Sequence, residues 1–80
     1  MPTLLRLQGF RFFFFSGEGD EPAHVHVEYG DKVAKYWLSP VELAHSDGFR
    51  SHELTRLRAL VIEHRKVFLE YWHEYFGDPT

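Results

Sequence analysis

The sequence predicts an α+β fold: a three-stranded antiparallel meander sheet followed by one short and one long α-helix packed on one of its faces, in the order β-β-β-α-α. Three observations carry this reading. Residues 24–29 and 32–38 alternate apolar and polar side chains at the period of a half-buried strand, with Gly30-Asp31 between them as a two-residue turn. Residues 7–15 are dense in strand-favouring rings and end at a run of turn formers, Ser16-Gly17-Glu18-Gly19-Asp20-Glu21-Pro22. Beyond residue 52, Leu54, Leu57, Val61, His64, Phe68, Tyr71 and Tyr75 recur every three or four positions, the spacing of one helix face.

Each element follows in chain order. The first strand offers rings to both faces, with Phe10, Phe12 and Phe14 expected toward the helices and Arg11, Phe13 and Phe15 away from them. In the hairpin, a turn at Gly30-Asp31 places Val27 opposite Ala34, Val25 opposite Tyr36 and His26 opposite Lys35. One hairpin face is then oily, with Val25, Val27, Tyr29, Ala34, Tyr36 and Leu38. The other carries His24, His26, Glu28, Val33, Lys35 and Trp37. Ser39-Pro40-Val41-Glu42 has the pattern of a helix start: a serine cap, a proline with no N–H to satisfy, and a glutamate able to reach back. The short helix it begins is expected to stop at Gly48-Phe49. Ser51 then caps a long helix over residues 52–76, which ends at Gly77-Asp78-Pro79. Leu69, Trp72 and Phe76 give that helix a second apolar stripe, more than a small sheet can cover, and this points to a partner surface.

Size and charge bound the function. At 80 residues and 9.5 kDa the chain is expected to form a single small domain over residues 1–80, with its ordered core at about 7–76. A domain so small buries only about 60% of its unfolded surface, so rings must supply stability that larger cores draw from size. The absence of cysteine excludes disulfides, thiolate zinc sites and thiol nucleophiles. A net charge of −3 with neutral histidines works against general attraction to nucleic acid, although six histidines can offset it in mild acid. No apolar stretch approaches the roughly 20 residues that cross a bilayer, and residues 1–5 lack the features of a secretion signal. The expected location is the cytoplasm, with no membrane contact.

Pro22-Ala23-His24-Val25-His26-Val27, Trp37-Leu38-Ser39-Pro40-Val41-Glu42-Leu43-Ala44 and Gly48-Phe49 together resemble the small prokaryotic family known as domain of unknown function 4160. The resemblance runs from Gly9-Phe10-Arg11 through Trp72-His73-Glu74-Tyr75-Phe76, nearly the whole chain. Ala23 departs from it, standing where a second proline is expected. The resemblance implies no catalytic residues. It does imply a two-gene setting, since members are often encoded beside another small uncharacterised protein, an arrangement that has suggested toxin–antitoxin pairing.

The residues themselves leave three uses open. On a partner-binding reading, Phe13, Phe15, Trp37, Trp72 and Phe76 form an aromatic surface for a small cognate protein or a second copy of the chain. The same rings beside Arg11 and Lys35 can stack single-stranded RNA, and His24 with His26 can act as acid and base in metal-independent ribonuclease chemistry, steadied by Lys35 and Arg11. On a metal reading, His24, His26 and Glu28 supply two imidazoles and a carboxylate in a row, suited to zinc, iron or nickel. A single strand spaces such a row near 7 Å, so a chelate needs a donor from elsewhere. No motif demands a cofactor; zinc or nickel enters only with the histidine row. His64, on the apolar helix stripe, reads as a core histidine bonded to backbone or tyrosine.

Overall fold

The computed structural model describes residues 3–77 and has an α+β architecture with an antiparallel sheet and two helices. The sheet has five strands, not three: β1 (Thr3–Leu7), β2 (Phe10–Phe13), β3 (His24–Tyr29), β4 (Lys32–Leu38) and β5 (Val41–Asp47), in meander order. Helices α1 (Ser51–Glu63) and α2 (Arg65–Phe76) follow.

The extra strands have local causes. Gln8 and Gly9 both take left-handed backbone (φ 53° and 88°), forming a two-residue turn that folds Thr3–Leu7 back onto β2. Gly9 is needed twice over, since a Cβ there would also lie 2.5 Å from the Tyr29 ring. The helix expected at Ser39-Pro40 is instead a hairpin. A cis Ser39-Pro40 peptide links β4 to β5, and Val41 pairs with Leu38, Glu42 with Trp37 and Leu43 with Tyr36. Serine and proline suit turns as well as helix starts. A helix confined to the residues before Gly48 is also too short to hold itself, whereas a strand gains a full ladder from β4.

The central hairpin has the register read from its turn: Val25 faces Tyr36, His26 faces Lys35 and Val27 faces Ala34. Its inner side joins Phe10, Phe12, Leu38 and Val41 in a core closed by Leu57, Leu60, Val61 and Phe68. Tyr29, expected in that core, is exposed at the end of β3. Phe12 is fully buried and stacks on Phe68 with ring centres 5.1 Å apart, joining sheet to α2. Tyr36, also buried, donates its hydroxyl to the Leu54 carbonyl at 3.0 Å, which fixes α1 over β4.

The long helix is broken. At His64 the backbone leaves helical geometry (φ −104°, ψ 11°), and the ring donates from Nδ1 to the Leu60 carbonyl at 3.0 Å. A side chain competing for the i−4 carbonyl explains the break between α1 and α2. Ser51 is the first helical residue and not the cap. The cap is Arg50, whose N–H donates to Glu53 at 2.9 Å. Arg65 anchors the start of α2 by donating to the Leu38 carbonyl and to Ser39 Oγ. Gly77 closes α2 in left-handed backbone; Asp78 and Pro79, expected to complete that stop, lie outside the described residues, as do positions 1, 2 and 80. No helix among the described residues is long and apolar enough to cross a membrane.

Candidate functional site

The alternation that buries Val25 and Val27 turns His24 and His26 to the other face of β3, where strand geometry alone would hold them apart. The chain between β2 and β3 supplies what the strand lacks. It forms a turn in which the Glu18 N–H donates to the Phe15 carbonyl and the Glu21 N–H to the Glu18 carbonyl. That turn aims the Glu18 carboxylate between the two imidazoles, with His24 Nε2 3.0 Å from one oxygen and His26 Nε2 2.9 Å from the other. One ligand-type atom from each of Glu18, His24 and His26 therefore lies within 4.8 Å of the others. The Phe15 N–H holds the carboxylate from a third side at 2.9 Å.

The two imidazoles differ in what they can do. His24 Nδ1 lies 2.9 Å from the Pro22 carbonyl, and a carbonyl only accepts, so the proton sits on Nδ1 and the lone pair of a neutral ring sits on Nε2. That Nε2 is fully buried and makes no aligned hydrogen bond, although Glu18 lies at contact distance. A buried imidazole nitrogen thus faces a carboxylate, an arrangement that a cation between them, a proton or a metal ion, satisfies. His26 instead donates from Nε2 to both Glu18 oxygens. Burial is the main cause that holds the His26 imidazole below its ordinary range, with His24 and Lys35 adding to it and Glu18 opposing. At Glu18, burial works against the charge, but the bonds from His26 and the Phe15 amide and the approach of His24 outweigh it and hold the carboxyl low.

Aromatic rings line the cluster. Phe13 stacks on His26 at 5.5 Å, Phe15 meets it edge-on at 4.8 Å, and Trp37 and Trp72 flank His24 at 5.6 and 4.8 Å. His24 has none of its side chain exposed, whereas Glu18 and His26 keep 16% and 17%, so solvent reaches the cluster at Glu18 and His26 and not at His24.

Several site expectations change with this geometry. Glu28, read as the carboxylate of the row, is held by Arg11 at 2.9 Å; Glu18 takes that place. Arg11 lies over Phe13, and Lys35 lies over Trp37 while pairing with Glu21 at 2.7 Å, so both cations are already engaged. Phe13 and Trp72, read as free partner surface, are buried, Phe13 against His26 and Trp72 against His24 and Phe14, and Phe76 is half-buried beside Trp72; Tyr71 and Tyr75 are the exposed rings of α2. The sequence pattern does not single out Glu18, because Ser16-Gly17-Glu18-Gly19-Asp20-Glu21-Pro22 reads as a run of turn formers between strands. The usable signal was a lone carboxylate between glycines in the turn that leads into the histidine strand.

Compared with family models, residues 9–73 match the one described as Domain of unknown function (DUF4160). No curated protein and no solved structure matches the chain.

Proposed function

The chain belongs to the DUF4160 family of domains of unknown function, and on that premise, which leaves the chemistry to the site itself, we propose that it binds a divalent transition metal through Glu18, His24 and His26. The observation that carries this reading is the buried His24 Nε2, which lies 3.0 Å from a Glu18 oxygen with no aligned hydrogen bond. Ligands about 2.0–2.1 Å from a tetrahedral zinc stand about 3.3–3.4 Å from one another; Glu18 lies 2.9 and 3.0 Å from the two imidazoles and the three donor atoms span up to 4.8 Å, so small side-chain shifts would bring the set onto one ion. The Pro22 carbonyl behind His24 is the kind of outer partner that fixes a metal-binding tautomer. Two imidazoles and one carboxylate suit zinc, iron or nickel over magnesium or calcium, and leave coordination positions open on the solvent side.

Isothermal calorimetry tests the reading. Zinc or nickel is expected to bind at one equivalent per chain, and the absence of saturable heat below millimolar metal removes the proposal. Acid is expected to loosen both the site and the fold. His26 and Glu18 have folded pKa values below their ordinary ones, so folding favours their deprotonated forms. The stability they contribute is complete above about pH 6.5 and falls with acidification, first through the His26 range and then below about 4.5 through that of Glu18. Urea midpoints measured from pH 8 to pH 4 should fall monotonically; a midpoint that rises on acidification contradicts the assignment.

A second reading, partner binding within a two-gene toxin–antitoxin arrangement, draws support from the outer side of α2. There Val67, Tyr71 and Tyr75 are exposed, and the two tyrosines border a groove of about 250 Å³ with Leu4 and Phe14. Size-exclusion chromatography with the neighbouring gene's product tests it, a lone monomer in the mixture being the negative result. The ribonuclease reading draws less support, because two-histidine catalysis needs both imidazoles on the substrate side and the His24 side chain is wholly buried.

A further inference from the structure

Helix α2 is fastened at its two ends by different means. At the start, Arg65 donates to the Leu38 carbonyl and Ser39 Oγ, which ties the first turn to the link between β4 and β5. Toward the C-terminus the seat is made of rings, and two pieces of the Glu18–His24–His26 cluster belong to it. The His24 imidazole lies 4.8 Å from the Trp72 ring, and Trp72 lies 4.4 Å from Phe76. Gly19, the residue after the carboxylate, is pressed so closely to Phe76 that a Cβ would stand 2.7 Å from the ring. Phe14 completes the seat against Trp72, Tyr75 and Phe76.

From this juxtaposition we infer that metal occupancy controls the docking of the C-terminal half of α2: the centre and the helix end form one coupled unit. The inference rests on the metal reading and adds a regulatory consequence to it. A cation shared by Glu18, His24 and His26 would tie the turn to β3 more firmly than the hydrogen bonds of Glu18 alone. The turn packs on Phe76 through Gly19 and the His24 ring packs on Trp72, so a tighter hold on either is passed to the helix end. Binding to the docked state alone stabilises that state by mass action, and the coupling is reciprocal: whatever loosens the helix end weakens metal affinity by the same factor.

Hydrogen exchange read by mass spectrometry, paired with zinc calorimetry on the full chain, tests the coupling. In saturating zinc, exchange over residues 70–76 is expected to slow by about tenfold or more, while residues 52–60 of α1 change little, as for a local opening unit. Phe76→Ala removes a half-buried ring and no ligand. It is expected to keep one zinc per chain, weaken its affinity several-fold and lose the added protection of residues 70–76. Gly19→Ala, which drives a methyl group into Phe76, is expected to act in the same direction. Zinc binding with unchanged exchange over 70–76, or a Phe76→Ala chain that gains full protection, overturns the coupling and leaves the metal reading intact. Failure of zinc to bind at all overturns the metal reading, and the coupling with it.

Discussion

Glu18→Gln is expected to weaken zinc binding by more than about 100-fold while leaving the chain folded, because even outer-shell partners of a metal are worth about 10–100-fold and Glu18 supplies the only charged donor among the three. The substitution is nearly isosteric. The amide oxygen can still accept from His26 or from the Phe15 N–H, so the turn keeps part of its hydrogen bonding. What is lost is the negative charge that compensates a dication, together with the second equivalent oxygen that lets both imidazoles approach one group. Calorimetry on the wild-type and variant chains, with circular dichroism to establish folding, measures the effect. Unchanged affinity would mean that Glu18 does not ligate zinc. Glu28→Gln is the matched control: its carboxylate is bound to Arg11 and is not among the three clustered donors, so its replacement is expected to leave zinc affinity within about twofold.

The largest expected loss of stability comes from Phe12→Ala. Truncating a buried phenylalanine typically costs about 3–5 kcal/mol in lost transfer energy and residual cavity. Phe12 has no accessible surface, pairs across the ladders with Leu5 and Val27, and stacks on Phe68, so its removal opens the sheet–helix interface at its centre. Small domains rest on total stabilities of about 5–15 kcal/mol, and a chain of this size belongs near the lower end. The variant is therefore expected to be largely unfolded at 37 °C, as read by thermal melting. Phe15→Ala, which alters an exposed ring of the same tract, is expected to shift the midpoint far less.

The contrast between those two phenylalanines also marks how far the sequence could be read. The central hairpin was legible to the residue pair, because Gly30 permits the turn and a slip of one position would expose Val25 and Val27. The same alternation placed His24 and His26 on the face opposite Val25 and Val27, but His24, expected to lean out, is buried beneath Trp72 of α2. Three features did not follow. Residues 3–7 carry leucines without strict alternation, and their strand exists because Gln8 and Gly9 reverse the chain, with a non-glycine residue in left-handed backbone. Ser39-Pro40-Val41-Glu42 satisfies the local chemistry of a helix start, and pairing with β4 overrides it. His64 fits the helical spacing, yet its ring takes the Leu60 carbonyl and interrupts the helix.

The site was half legible for a related reason. Periodicity reports which face a strand residue takes; it is silent on which loop folds over that face. Glu28 shares the face and lies in the row, but Arg11 on the neighbouring strand claims it. Glu18 reaches the imidazoles only because its turn is set by Phe15 and Glu21 and packed by Gly19 on Phe76, contacts that exist once the chain is folded. Trp72 was read as surplus apolar surface because its ring partner, His24, counts as polar in any hydrophobic pattern.

The most direct measurement is a long-range ¹H–¹⁵N correlation spectrum of the six imidazoles during a zinc titration at neutral pH. The Nε2 resonances of His24 and His26 are expected to move together and stop at one equivalent, with His26 losing its Nε2 proton, while those of His45, His52, His64 and His73 stay in place. Movement confined to those four rings, or a His24 Nε2 resonance indifferent to zinc, would contradict the proposed site.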